Sequence, residues 1–269
     1  MLEKNVFFSP WSYLAFTLIY SWSFWFIAIF SKKEALQFPT VIFYILGGTG
    51  PSVVSLILLY LNKESNKKEF WKRVINFSRI GFSWFGIIIV VTLSASLLAI
   101  LIAYLFKFGE SNFTGIRNFF TNPSLIFVTI SLNLVAVFFE EVGWRGYALD
   151  KLQLNFSALL SSLFLGLIWA VWHIPLFFIK GTYQNELGFN SYQFWLFMFN
   201  IIIQSILITW VFNNTNRSIL AVIFFHFFVN LFGEMFDLGD KTEIVRSVLF
   251  FVYALLVIII FGHQSFVKE

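Results

Sequence analysis

The sequence predicts an all-α fold: a polytopic membrane helical bundle of about eight transmembrane helices. Three observations predict it. Hydrophobic residues make up 59% of the 269-residue chain and charged residues only 12%, about half the charge of a soluble domain. Phe contributes 39 residues and Trp 10, a composition suited to lipid-facing surfaces and interfacial belts. Apolar stretches of about 20 residues, the length a helix needs to cross a bilayer, recur along the chain.

The spans can be taken in order. The first, residues 11–30, lacks a strong basic flank and a small-residue cleavage site, so it reads as a retained span rather than a removed signal peptide. The second, 41–61, is interrupted by Gly47-Gly48-Thr49-Gly50-Pro51. No P-loop lysine follows these glycines, so they mark a kink or a close-packing site rather than a phosphate loop. The polar linker NKESNKKEFWKRVINFSRIG then reads as an interfacial or cytosolic loop. Span three is 82–106. Span four, 124–152, is long and turns amphipathic between Arg145 and Gln153. Span five, 156–179, carries Pro175, which should distort its far end. Span six is 192–212. Span seven, 217–233, is short and follows the polar turn Asn213-Asn214-Thr215-Asn216-Arg217, and span eight is 246–262. Residues 1–269 form a single integral membrane domain without internal repeat, which argues against a repeat-built transporter.

Eight spans put both termini on one side. Eleven basic residues fall on that side, among them Lys4, Lys63, Lys67, Lys68, Lys72, Arg73, Arg79 and Lys268, against seven on the other. The positive-inside rule therefore places both termini in the cytosol of a multi-pass cell-membrane protein. The Lys-, Asn-, Phe- and Ile-rich composition points to an AT-rich bacterial genome, hence a bacterial plasma membrane. The absence of cysteine excludes disulfides, thiolate metal sites and cysteine nucleophiles. A formal charge of +4 confined to loops makes membrane lipids the natural partner and argues against nucleic acid.

Against this apolar background a few polar residues stand out. Glu140 and Glu141 are adjacent near the end of span four, where ionisable groups are costly and mark function. Glu141 and Arg145 are an i, i+4 pair in the favourable order and can neutralise each other. Glu140 is turned about 100° away on the helix without such a local partner. A carboxylate buried without a counter-charge is suited to acid/base work near neutral pH. In span five, Trp169 and His173 share a face, and in span seven His226 and Asn230 do. Imidazole and amide N–H groups aimed at one point suit a developing oxyanion. Counted from the cytosolic helix ends, Glu140 lies about 18 Å deep, His173 about 25 Å, His226 about 14 Å and Asn230 about 20 Å. One cluster can therefore collect all four. Each feature has a plainer reading as helix–helix glue, which suits Glu141 best.

Taken together, Glu140-Glu141-x-x-x-Arg145, Trp169-x-x-x-His173 and His226-x-x-x-Asn230 resemble the motifs of the CPBP intramembrane proteases. That family joins the type II CAAX prenyl proteases to the bacterial Abi bacteriocin-processing and immunity proteins. The resemblance covers roughly residues 120–235 and departs at Trp169, where the family usually carries Phe. It implies an intramembrane endopeptidase acting on a membrane-associated protein or peptide. Glu140 and His173 would activate water, His226 and Asn230 would hold the oxyanion, and Arg145 would fix Glu141 and the helix end. It also admits a metal: Glu140, His173 and His226 could ligate Zn²⁺ with a water at the open position. The His-Glu-x-x-His zinc helix is absent, which favours the glutamate-dependent account. A non-proteolytic immunity or peptide-binding protein using the same cavity is the alternative.

Overall fold

A computed structural model describes residues 6–108 and 114–267. The basic residues Lys4 and Lys268, counted above on the cytosolic side, lie outside the described residues. The helices in chain order are α1 (Pro10–Phe30), α2 (Thr40–Gly48), α3 (Gly50–Leu61), α4 (Lys67–Ile75), α5 (Phe82–Leu105), α6 (Thr114–Thr121) and α7 (Pro123–Gly143). A π-helical turn (Trp144–Leu149) carries α7 into α8 (Asp150–Leu152). Then come α9 (Ala158–Trp172), a 3-10 turn (Ile174–Phe178), α10 (Tyr183–Leu187), α11 (Tyr192–Asn214), α12 (Ile219–Phe236) and α13 (Asp240–Phe261). No strand occurs among the described residues.

Seven of these stretches are long and apolar enough to cross a membrane, and α2 with α3 makes an eighth as a pair bent by 52°. Backbone groups in lipid must be satisfied within their own segment, so hydropathy alone locates most helices. The Gly47–Pro51 break is thus a kink, as its sequence suggests. Elsewhere the structure corrects the sequence reading. The polar linker after span two contains α4, whose Phe70 and Val74 are buried against the bundle while Lys68 and Lys72 face outward. Span seven extends to Phe236 and span eight begins at Asp240, with Glu243 of its first turn paired to Arg246 of the next at 2.8 Å.

The inner layer consists of α9, α11 and α12, the most buried spans, with α1, α5, α7 and α13 on the outside. Neighbouring pairs include α9 with α11, α5 with α12 and α13, and α7 with both α3 and α12. The α3–α7 contact fixes the end of α7 that carries the acids. Ser52 donates to the Phe139 carbonyl at 2.5 Å, and Tyr13 of α1 donates to the Pro51 carbonyl at 3.2 Å. At this crossing Gly143 lies directly against the Pro51 carbonyl, and a Cβ there would collide with backbone that cannot move aside. Small residues permit such close backbone approach between membrane helices.

Helix α9 is held at both ends. Ser157 caps its first turn, and the Ala158 and Leu159 N–H groups donate to the carbonyls of Gln264 and His263 in the C-terminal segment, at 2.7 and 3.1 Å. At the far end the Trp22 indole donates to the Trp172 carbonyl at 3.2 Å. Replacing Gly143 by Ala should therefore destabilise the fold by about 1–3 kcal/mol through overpacking. Thermal unfolding in detergent would show it as a lowered Tm, whereas Gly86→Ala, where the added carbon meets nothing and helix propensity improves, should not lower Tm.

Candidate active site

The two adjacent acids have different surroundings. Glu141 and Arg145 are completely buried and pair at 2.8 Å, as the i, i+4 spacing predicts. The same Glu141 Oε1 also accepts from His226 Nδ1 at 2.8 Å, across from α12. His226 thus meets the structural acid rather than Glu140, which corrects the expectation that it faces Glu140. Glu140 is only partly buried, and its Oε2 accepts the Trp169 indole N–H at 2.7 Å. Its partner is thus a neutral donor from another helix rather than a counter-charge on its own.

Trp169 lies at the centre of the cluster. The Arg145 guanidinium sits 4.5 Å from its ring centroid, and the His226 ring packs edge-on to it at 5.1 Å. Its backbone carbonyl is 2.8 Å from His173 Nδ1. A carbonyl only accepts, so Nδ1 carries the proton, and the neutral His173 ring presents its Nε2 lone pair. The same bookkeeping applies to His226, whose Nδ1–H is taken by Glu141. Its Nε2 can therefore donate only when the ring carries both protons.

His173 sits at the end of α9, not within it. The α-helix stops at Trp172, His173 is the C-cap, and the chain continues as a 3-10 turn through Pro175. Proline lacks an N–H and clashes with the preceding turn, which accounts for the change. The tightened turn leaves His173 buried between Trp172 and Phe197, ring centroids at 4.7 and 5.3 Å.

Asn230 joins through a residue the sequence reading passed over. Its Nδ2 donates to Asn133 Oδ1 at 3.2 Å, and Asn133 Nδ2 donates to the Phe227 carbonyl at 3.4 Å. One Nδ2 proton of Asn230 is thereby used and one is left. A signal for Asn133 existed: it lies seven residues before Glu140, two turns away on nearly the same face of an otherwise apolar helix.

Among the described residues no group of three His, Cys, Asp or Glu side chains is arranged to hold a metal ion. Glu140, His173 and His226, as oriented here, therefore do not fit a zinc site.

An ionisable cluster enclosed by a polytopic helical bundle defines a membrane protein built around an intramembrane functional site. Comparison with known proteins makes the class specific. Residues 122–232 match the family described as type II CAAX prenyl endopeptidase Rce1-like. The chain is also 30% identical over 266 residues to CAAX prenyl protease 2 of Methanococcus maripaludis, covering 97% of each. The chain belongs to this CAAX prenyl protease family, and it is by membership a membrane peptidase.

Breaking a buried ion pair leaves the surviving charge uncompensated, at a cost of about 3–5 kcal/mol. Arg145→Ala should accordingly lower thermal stability by this order. Arg145→Ala paired with Glu141→Gln should recover part of the loss, because the orphaned carboxylate is gone.

Proposed function

We propose that the chain is a glutamate-dependent intramembrane endopeptidase, hydrolysing a peptide bond in a membrane-associated protein or peptide. The observation that carries this reading is the division of the two acids. Glu141 is sealed between the Arg145 guanidinium and the His226 ring, while Glu140 has no ion pair among the described residues and is only half-buried. A carboxylate in that state can exchange a proton with water, and the family membership supports peptide hydrolysis as the use made of it.

The reaction runs as follows. Glu140 takes a proton from a water, whose oxygen forms a bond to the scissile carbonyl carbon. The His173 Nε2 lone pair accepts the water's other proton as a hydrogen bond and orients the attack. The carbonyl oxygen becomes an oxyanion that accepts from His226 Nε2–H and from the free Nδ2–H of Asn230. His226 does this as imidazolium, with Glu141 accepting its Nδ1 proton. Collapse breaks the C–N bond, and Glu140 returns its proton to the departing amine. The CAAX prenyl protease name of the archaeal relative makes a farnesylated peptide with a C-terminal CAAX sequence the first substrate to test.

Glu140→Ala, Glu140→Gln and His173→Ala should each reduce cleavage of that peptide by at least about 100-fold, with membrane expression retained. Full activity in purified Glu140→Ala protein would sink the proposal. The orientation is tested separately, because the chain has no cysteine of its own. With both termini in the cytosol, a Lys68→Cys variant should react with an impermeant maleimide only from the cytosolic face. Labelling of intact cells would reverse the topology.

A further inference from the structure

Trp169 offers three different groups to the cluster. Its carbonyl receives His173 Nδ1–H at 2.8 Å, its ring face lies beneath Arg145 and beside His226, and its indole N–H reaches Glu140 Oε2 at 2.7 Å. The side chain is 2% exposed, so the indole cannot turn away to water. The helix that carries it is tethered at both ends.

We infer that Trp169 is the positioning residue of this site, its indole N–H fixing the Glu140 carboxylate so that Oε1 is left to meet the reacting water. The inference rests on the reading of Glu140 as the proton acceptor. Among the described residues the indole is the single hydrogen-bond donor to Glu140. Without it, the partly accessible carboxylate would be free to rotate about its terminal torsions, which are broad and weakly restrained. Efficient proton transfer needs the acceptor within hydrogen-bond reach of the water, and small misplacements are costly in rate. A phenyl ring at this position would keep the carbonyl, the face under Arg145 and most of the packing. It would remove the N–H and part of the ring volume, and the Glu140→Asp background separates the two effects. The role is thus separable from the general one of filling the core.

The test is Trp169→Phe, assayed with the farnesylated CAAX peptide in detergent, with rates normalised to folded protein by size exclusion and thermal unfolding. The expected result is a kcat lowered roughly 10- to 100-fold with KM within about twofold, the signature of a transition-state interaction. In a Glu140→Asp background, whose shorter side chain withdraws the carboxylate from the indole, the same substitution should cost less than about twofold more. An unchanged kcat per folded molecule, even with reduced folded yield, overturns the positioning role. So does an equal loss in both backgrounds. Failure of the underlying reading looks different: the unsubstituted chain does not cleave the peptide, or Glu140→Ala cleaves it as well as the unsubstituted chain does.

Discussion

The enclosed interaction of Glu141 with Arg145 and His226 is the constraint on which the rest of the site depends. A carboxylate and a guanidinium removed from water lose hydration worth several kcal/mol each, and only close pairing repays it. Their spacing of one helical turn makes that pairing local to the α7 end, independent of how other helices arrive. Once the pair exists, Glu141 has a lone pair for His226 and Arg145 has a face for Trp169. The two inner helices α9 and α12 are thereby locked against the acid-bearing end of α7. The stability of the enclosed charges and the geometry of the catalytic candidates come from the same contacts.

Those contacts divide labour between the acids. Glu141 spends its charge on holding helices together and on orienting the His226 ring through its Nδ1–H. Glu140, one residue earlier and turned aside, is half-buried with its carboxylate held by a neutral donor. An ion pair at Glu140 would have tied it to a permanent charge, whereas an indole N–H orients it and leaves it able to take a proton. The Asn133–Asn230 bond serves the amide in the same way, occupying one proton and presenting the other. Each proposed reactive group thus has a partner on its non-reacting side. Such an arrangement holds geometry without consuming function.

Much of this was legible before any coordinates. Eight spans followed from hydropathy, and the Glu141–Arg145 pair followed from helical spacing. Helical rise put Glu140, His173, His226 and Asn230 within reach of one cluster, and the resemblance of the motifs carrying them to a protease family pointed to peptide hydrolysis. The misses share a cause. That His226 meets Glu141, that Trp169 donates to Glu140, and that Asn133 supports Asn230 are all pairings between different helices. Equal depth does not say which way a side chain faces its neighbour. The π turn after Gly143 was likewise hidden, and it changes the rotation of the residues beyond it, whereas the distortion that ends α9 at Trp172 was signalled by Pro175.

The sequence by itself determined the membrane class, the spans and the Glu141–Arg145 pair, because lipid forces each segment to satisfy its own backbone and because i, i+4 neighbours meet in any helix. The tertiary structure alone decided which acid receives which histidine and what holds Glu140. That choice depends on the rotation of α7, α9 and α12 about their own axes. Rotation is set by close contacts such as Gly143 on Pro51, remote in sequence from the groups they orient.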